Sequence, residues 1–572
     1  MQYLHDRQKS HAFISQKHVN QIAKSKNYKR FALHGLLLSG MFSLVEAMEF
    51  GTMGNVSASM GGAGVALKSP FALYYNPALI ASDSKMRIGY SVGVGLSQSN
   101  LDKLTNLNFV KMVESLTSLG SQMGGGSKIA TRAARSVAPT MGVNAKATSN
   151  LTGALTEALK QSGASGNNLE ELWKSYEQSH QGSADHSQLV GNLKDAVNNS
   201  SMTQEQKDMF NDFANSVDWS NFDVSNGKIA SMTIKSGSNG ALDATMKDLD
   251  TLFEVLRNNN MNVISQSGIV FQLSNETIQE KFGSLAVGLF NTAQAGVSLV
   301  GDKSRMRLIF GDTTGYYELI VKQDGYTLKE ASKEDYEKFS ILPSIEQGNA
   351  HKIVSSAFNL LEIPVGYAYR FNFNNSELSI GITGKLMLGA SLYHEQFLGS
   401  NLQFNTKFAS NIHYNTTFGI DIGSYYGYDL SDTGQLGVGL VIKNINTPTF
   451  RFDGAPTISI KPQYRAGIAY NGKRFSLAFD ADVLPNEVLT YSQYGLYSQM
   501  IGGGFKLDYK FIDVRGGVAY DLRRDTGAIL TAGVNILGFI DIAAEVGTKW
   551  VDYFGITAPK YANVRIGGSF SW

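Results

Sequence analysis

The chain has 572 residues, a formal net charge of +1 and no cysteine. These values exclude disulfide frameworks, thiolate metal sites and thiol catalysis, and they give no electrostatic reason to expect a nucleic-acid partner. Charged residues make up only 17% of the chain, whereas glycine (59), phenylalanine (31) and tyrosine (26) are abundant and proline (10) is scarce. This composition is typical of transmembrane β-strands with aromatic girdles.

The first segment has the pattern of a secretory signal peptide. Basic residues at Lys26, Lys29 and Arg30 precede an apolar stretch over 31–44, and the small residue Ala47 follows. We therefore predict a signal peptide over residues 1–47 that is cleaved after Ala47. A membrane anchor is the alternative, but the apolar stretch is shorter than the roughly 20 residues that span a bilayer.

The next segment, residues 48–85, is predicted to be a hatch that plugs a barrel. Small residues and glycines dominate it from Ser57 to Ala66, and the sequence Asn76-Pro77-Ala78 follows. A segment of this kind cannot form a core by itself, but its backbone can pass through a confined space where larger side chains would clash. The lumen of a β-barrel is such a space.

From residue 86 onward, apolar and polar residues alternate repeatedly, as in strands with a lipid face and a lumen face. Between Glu377 and Leu392, for example, the even positions are mostly aliphatic and the odd positions mostly polar. The pattern predicts an all-β, antiparallel outer-membrane barrel of about fourteen strands, with the hatch inside. The predicted strands are 86–98, 261–273, 281–293, 363–373, 377–391, 411–428, 435–445, 457–470, 473–484, 496–510, 511–521, 527–537, 538–549 and 562–572.

The predicted connections alternate between short and long, which is the pattern of bacterial barrels with periplasmic turns and extracellular loops. Two connections are very long. Residues 99–260 are predicted to be a mainly helical extracellular insertion, with Thr203 and Gln206 forming a capping box. Residues 294–362 are predicted to be a second extracellular loop. Apolar helix faces in the first insertion either receive a hydrophobic ligand or pack a small helical cap, and both interpretations can hold together.

The last predicted strand ends in Phe570 and Trp572. An amphipathic terminal strand that closes on an aromatic residue resembles the signal read by the barrel-assembly machinery, which is therefore an expected partner together with outer-membrane lipid. Charged residues at lumen-facing positions could bind a carboxylate head group, but mutual neutralisation is the favoured role. These residues are Lys385, Arg465, Asp480, Asp482, Asp513, Arg515 and Arg565.

Phe50 near the start of the mature chain, the small-residue stretch and the Asn76-Pro77-Ala78 motif together resemble the FadL family of long-chain fatty acid and hydrophobic-compound transporters. The resemblance implies a fourteen-stranded barrel in which hatch movement releases the ligand and a gap in the wall lets it leave sideways, with the glycine-rich third strand near Asn291 as a candidate. It also implies that Phe50 contacts the ligand and that Asn76, Pro77 and Ala78 shape the hatch. A related family, similar to plasmid-transfer proteins, shares the same N-terminal pattern.

The expected function is passive, hatch-gated uptake of long-chain fatty acids or other hydrophobic small molecules, by a monomer without a cofactor or metal. A surface adhesin and a general porin are the alternatives. An enzyme is not expected, because His180, His186, His351, His394 and His413 form no metal-ligand pair and no G-x-S-x-G sequence is present.

Overall fold

The structure is a computed structural model of the full chain. It describes residues 45–46, 48–82, 86–106, 151–181, 185–235, 240–274, 276–312, 315–322, 325–398, 412–430, 434–491, 495–553 and 556–571. The predicted signal sequence before Val45, the link at Asn275 and the terminal residue Trp572 lie outside these ranges. Val45–Glu46 pairs in parallel with Ile458–Ser459, which in turn pairs with Thr449–Phe450.

Fourteen antiparallel strands form a closed barrel, which confirms the predicted fold class. Each strand corresponds to one predicted strand, and the first strand closes the wall by pairing with the last. Closure matters because a membrane offers no hydrogen-bond partner for an open sheet edge. The strands are β1 (Arg87–Ser99), β2 (Asn260–Leu273), β3 (Ser284–Val300), β4 (Lys352–Asn372), β5 (Ser376–Phe397), β6 (Ile412–Asp429), β7 (Gly434–Lys443), β8 (Gln463–Gly472), β9 (Phe475–Asp482), β10 (Met500–Tyr509), β11 (Ile512–Asp521), β12 (Ala528–Ile536), β13 (Ile540–Gly547) and β14 (Tyr561–Ser571).

The outer surface of the wall is apolar, as the alternation predicted. On β5, Ile380, Ile382 and Leu386 are each about half exposed, whereas Thr383 and Lys385 point inward and are buried. The same division holds on β9, β11 and β14. Since an ordinary soluble protein exposes no apolar band of this extent, the surface fits contact with lipid.

The third and fourth strands are longer than predicted. β3 continues to Val300, and β4 begins at Lys352 rather than at residue 363. Pro364 explains the error, because a proline inside a run of residues normally marks an edge or an end of a strand. The β3–β4 ladder is in fact interrupted there, with Glu362 paired to Phe290 and Val365 paired to Val287 on either side.

The two very long connections fold together into one unit, called here the cap. A five-stranded sheet runs through both of them, joined where Lys228–Lys235 pairs with Gly325–Ala331. Helices predominate in the described part of the first insertion, but it also contributes two strands that the prediction missed, and these are completed by partners about 90 residues away in the sequence. The remaining sheet strands are Val217–Ser225, Gly315–Lys322 and Leu308–Asp312.

Helices surround the cap sheet and share its hydrophobic core. The predicted capping box is present, since Thr203 and Gln206 exchange bonds at the start of one helix. Phe210, Phe213 and Leu249 are buried in the cap core, so these apolar faces pack the cap itself. No helix among the described residues is long and apolar enough to cross a membrane. The described helices of the cap are Leu151–Gln161, Leu169–Ser179, Ser187–Asn198, Gln204–Ser216, Gly240–Arg257, Lys333–Phe339 and Ile341–Gln347. Outside the cap, Glu276–Phe282 connects β2 to β3, and the short helices Asn55–Ala58 and Ala72–Tyr75 precede β1.

The barrel has a short-turn end and a long-loop end. The first contains the start of β1, the end of β14, the 274–283 connection and short links such as 373–375 and 510–511, and the second contains the cap and the connections between the other strand pairs. Two shorter loops at the long-loop end, 444–462 and 483–499, contain small paired segments, including Asn486–Val488 with Leu496–Ser498.

His351 links the cap to β4. It is buried, its Nδ1 accepts a hydrogen bond from the backbone N of Asp302 at 3.1 Å, and its Nε2 lies 2.8 Å from Ser344 Oγ. Accepting at Nδ1 requires the neutral ring, and burial lowers the pKa of His351. The stabilisation is therefore complete above the ordinary histidine pKa of about 6.5 and declines as the pH falls below it.

We expect faster amide exchange around residues 341–356 at pH 5 than at pH 8, after correction for the intrinsic pH dependence of exchange. Hydrogen exchange with mass spectrometry measures this directly. The His351→Gln variant should lose most of the difference, because its amide cannot gain a proton in this range. An equal pH response in both proteins would show that His351 is not the titrating group.

Candidate functional site

The described part of the hatch, residues 48–82, occupies the barrel lumen and contacts the wall on every one of the fourteen strands. Asn55 donates to the carbonyl of Asp541 at 2.8 Å and accepts from Ser91 at 2.8 Å. Gly61 N donates to Thr531 Oγ1 at 3.0 Å on another side of the lumen. Further contacts involve Ile80 with β2, Tyr74 with β3, Leu73 with β4, Pro77 and Ala78 with β5, Asn76 with β6, Val65 with β7 and β9, Ala66 with β8, Met60 with β10, Gly61 with β11, and Asn55 with β14.

The Asn76-Pro77-Ala78 motif forms a turn that joins the hatch to the wall. Asn76 Nδ2 donates to the carbonyls of Val65 and Ser424, each at 2.9 Å, and Asn76 Oδ1 accepts from Ala78 N at 3.0 Å. Asn76 thus caps the short 3-10 helix Pro77–Ile80, which begins with a proline whose missing N–H needs no partner. The Asn76 side chain therefore forms hydrogen bonds with two segments of the hatch and with one strand of the wall.

Glycines allow hatch and wall backbones to touch. Gly61 has a positive φ of 67°, and a Cβ there would lie 2.5 Å from the carbonyl O of Val518. Facing it, a Cβ at Gly504 would lie 2.7 Å from Met60 Cα, and one at Gly517 would lie 2.8 Å from Gly61 N. The small residues that predicted the hatch are therefore matched by small residues on the wall.

Asp480 on β9 binds the hatch backbone rather than a cation. Its Oδ2 accepts from Gly64 N at 2.7 Å and from Val65 N at 2.9 Å. Two adjacent N–H groups that point at one carboxylate oxygen form a small anion-binding nest. This is a third way in which the hatch is fixed to the wall.

Of the four predicted lumen cations, three pair with carboxylates. Arg465 Nε lies 2.7 Å from Asp482, and Arg515 Nε lies 2.7 Å from Asp513. Lys385 Nζ lies 3.0 Å from both Glu362 and Asp421. Arg565 differs, because among the described residues it has no carboxylate within ion-pair distance. It bonds instead to Ser91 Oγ, to the side chain and carbonyl of Gln266, and to Met53 Sδ.

Phe50 lies in the lumen and is only 4% exposed. The guanidinium carbon of Arg465 lies 3.9 Å from its ring centroid, and Lys443 Nζ lies 4.7 Å from it. Tyr74 packs on it edge to face at 6.4 Å. The ring therefore has cations on its face and forms part of a cavity wall, and its contact with a ligand stays a prediction.

Arg524, in the loop after β11, anchors the start of the hatch. Its Nη2 bonds to Glu49 at 2.7 Å, its Nε to Asp521 at 2.6 Å and its Nη1 to Ser97 at 3.1 Å. Burial alone would lower the pKa of Arg524, but Glu49 and Asp521 outweigh it and raise that pKa further above its usual range. Residues 48–53, called here the strap, are thus held by side chains at the long-loop end, where Met48 N also donates to the carbonyl of Glu487 at 2.9 Å.

A chamber with a cavity volume of about 60 Å³ lies between the strap and the wall strands β1, β2, β3, β10 and β14. Its apolar lining residues are Met48, Phe50, Leu96, Ile264 and Met500. Polar lining residues are more numerous, and they are Glu49, Thr52, Ser97, Gln266, Gln294, Arg524, Tyr561, Asn563 and Arg565. Most of these were not predicted from the sequence.

A second apolar region lies at the long-loop end of the lumen, beneath the two shorter loops. Phe358 and Met387 on the wall pack against Phe450 and Phe452, which the loop 444–462 inserts from above. Leu489 reaches the same cluster from the loop 483–499. Asn260 Nδ2 donates a hydrogen bond to the carbonyl of Leu489 at 3.0 Å. Hydrophobic side chains therefore line the approach to the hatch.

The residues missed by prediction are of two kinds. Glu362 and Asp541 lie at lumen-facing positions, and strand parity would have found Glu362 if Pro364 had not suggested a later start for β4. The alternation pattern did not indicate Arg524, because it lies in a loop. It did not indicate Gln294 either, because this residue follows the predicted end of β3. Phe570 points outward at the short-turn end and is half exposed, and the assembly role of Phe570 and Trp572 stays a prediction.

The closed wall, the outward apolar band and the internal hatch define an outer-membrane-type β-barrel with a plugged lumen. The model of the family described as "F plasmid transfer operon, TraF, protein" matches residues 175–482, more than half of the chain, and the chain belongs to this family. This is a plasmid-transfer family of the kind considered beside FadL. The sequence has no match among curated proteins.

Solved structures similar to this chain include two toluene transporters and a FadL homologue. TbuX of Ralstonia pickettii is 12% identical with a TM-score of 0.34, and covers 92% of this chain and 98% of its own. TodX of Pseudomonas putida is 12% identical with a TM-score of 0.35, and covers 92% and 99%. The Pseudomonas aeruginosa FadL homologue is 9% identical with a TM-score of 0.29, and covers 92% and 98%. These likenesses are too remote to assign a ligand.

Two adjacent glycines test how the hatch is seated. Gly61→Ala and Gly62→Ala both place a side chain at positive φ, at a cost of about 1–2 kcal/mol, but only Gly61→Ala meets the wall, since the nearest atom at Gly62 is 4.0 Å away. We expect Gly61→Ala to be less stable by about a further 1–3 kcal/mol and to leak ions in planar bilayers. Equal denaturation midpoints and conductance in the two variants would contradict this seating.

The anchor of the strap is tested by Arg524→Gln. Removing one partner of a buried ion pair costs about 3–5 kcal/mol, so amide exchange of residues 48–53 should accelerate, while exchange of residues 54–82 should change little. Arg523→Gln is the matched control, because Arg523 bonds to Gln499 and does not contact the hatch. Protection of the strap that is unchanged in Arg524→Gln would show that the backbone contacts alone hold it.

Proposed function

We propose that the protein is an outer-membrane transporter that takes up hydrophobic small molecules, with long-chain fatty acids among the candidates. Uptake is passive diffusion, and the hatch gates it. The observation that carries the proposal is the combination of a hatch fixed across the lumen with a partly apolar chamber beside Phe50.

The apolar wall supports a location in the outer membrane. Its apolar face suits lipid, and barrels of this kind place short turns in the periplasm and long loops outside the cell. The hatch would then begin near the outer surface, pass down through the lumen and join β1 on the periplasmic side. Export by the predicted signal peptide belongs to the same proposal.

The chemistry of the interior favours hydrophobic ligands over ions. Burying one methylene group gains about 0.8 kcal/mol, so a long chain can bind an apolar surface without a charged partner. The aromatic cluster around Phe450 would collect such a molecule beneath the loops, and the chamber would hold it next. No catalytic step is part of this proposal.

The interruption of the wall at Pro364 offers a sideways exit. Pro364 has no N–H to donate, and Gly288 faces it on β3, where a Cβ would lie 3.2 Å from the proline ring. The ladder pairs at this level are missing between β3 and β4. Gly288 lies on β3, close in sequence to Asn291, and this glycine-rich strand is the candidate for the gap in the wall that the family resemblance implies.

A neighbouring pair of residues on β2 provides the test. Ile264 lines the chamber, whereas Val263 points outward and is 48% exposed. We expect Ile264→Trp to reduce uptake of radiolabelled palmitate or toluene several-fold in a Gram-negative host that lacks its own transporter. Val263→Trp should leave uptake unchanged, and heat-modifiable gel mobility checks that both barrels are folded.

Planar-bilayer recording of the purified protein separates this function from a general porin. Large, steady ion conductance in the wild type, together with uptake that is unchanged in Ile264→Trp, would overturn the proposal.

A surface adhesin is a second candidate, and the observation in its favour is that the cap has its own hydrophobic core. Because one sheet spans both insertions, both must be deleted together. If the protein is an adhesin, this deletion should abolish surface binding and leave hydrophobic uptake intact.

A further inference from the structure

The charged groups around the chamber are already engaged with one another. Arg524 is paired with Glu49 and Asp521. The carboxylate of Glu545, behind the chamber wall, accepts from Tyr561 at 2.6 Å and from Asn563 at 3.1 Å. With Arg565 included, three carboxylates surround the chamber against two guanidinium groups, so its field does not favour a further anion.

The cations beyond Phe50 do not change this balance. Arg465 is paired with Asp482, and Lys385 is paired with Glu362 and Asp421. Lys443 is the additional cation on that side, and it lies over the rings of Phe50 and Tyr74 and near the same two carboxylates. Lys385, Lys443, Glu362 and Asp421 together carry no net charge. This group therefore adds no positive potential at the chamber.

Among the residues that line the chamber, Gln294 on β3 has a buried polar atom without a partner in the described structure. Its side chain is 6% exposed and lines the chamber, and its Oε1 accepts no hydrogen bond from any residue that the structure describes. A buried carbonyl oxygen without a donor is unfavourable, and such groups normally have a partner. The amide oxygen therefore marks where a ligand's hydrogen-bond donor would lie.

We propose that the chamber binds an uncharged amphiphile whose head group donates a hydrogen bond to Gln294 Oε1, as a hydroxyl or an amide N–H does. The alkyl or aryl body of the ligand lies against Phe50, Ile264 and Met500, and its length requires the strap to move aside, because the closed chamber has a volume of only about 60 Å³. A carboxylate would bring an additional negative charge and no donor, and a pure hydrocarbon would leave Gln294 unpaired. This inference rests on the proposed transport function and narrows its ligand class.

The test is equilibrium dialysis of the full-length protein in lipid nanodiscs, with empty nanodiscs as the background. The probes are dodecan-1-ol, dodecanamide, dodecanoate at pH 8 and dodecane. We expect the alcohol and the amide to bind more tightly than the other two by about fivefold to tenfold, the range that one hydrogen bond provides. Gln294→Met keeps the volume and removes the acceptor, so it should abolish this preference, and dodecane should bind to it at least as tightly as to the wild type.

Gln435→Met is the matched control, because Gln435 lies near the short-turn end and bonds to Tyr425 and Asp429. It should retain the preference of the wild type. If dodecanoate binds as tightly as dodecan-1-ol, or if Gln294→Met keeps the preference, the inference is wrong while the transport function stands. If none of the four compounds binds above the empty nanodiscs, the proposed function itself fails. The comparison of ligands on the wild type does not depend on the folding of any variant.

Discussion

The constraint on which this structure depends is the width of a fourteen-stranded barrel. About eight strands make a lumen that wall side chains can fill, and sixteen or more leave an aqueous channel. Fourteen strands therefore need an added filling if the lumen is to be closed. The hatch supplies it, and it reaches every strand, by its backbone where its residues are small and by side chains such as those of Leu73 and Tyr74 elsewhere. Its polar groups find partners on the wall instead of in water.

Closing the lumen also removes water from the wall's own charges. Lys385, Arg465 and Arg515 are buried, and each has a carboxylate beside it. A buried charge without a partner is strongly unfavourable, whereas a buried pair is roughly neutral for stability. The pairs are therefore a consequence of the plug, and they leave few free charges with which a ligand could be selected.

The sequence was informative wherever a local pattern decides the structure. The alternation along each strand predicted all fourteen strands and the direction in which Lys385 and Ile382 point, because the two faces meet lipid and lumen. The small residues near Gly61 likewise predicted the hatch. The features that the sequence could not predict depend on contacts between residues far apart in the chain. The sheet of the cap joins Lys228–Lys235 to Gly325–Ala331, and the chamber is assembled from five strands and the strap.

The two parts of the hatch differ in what holds them, and this difference bears on gating. Residues 54–82 are fixed by backbone hydrogen bonds, by the Asn76 turn and by direct contact with wall glycines, all of which must break together. The strap is held mainly by side chains, through Arg524 and the aromatic contacts of Phe50. A ligand in the chamber competes with those side-chain contacts and not with the glycine seat. If the hatch gates uptake as proposed, we expect local opening to begin at the strap, with Gly54 at positive φ as the joint between the parts, and the rest of the plug to follow only after the strap has left.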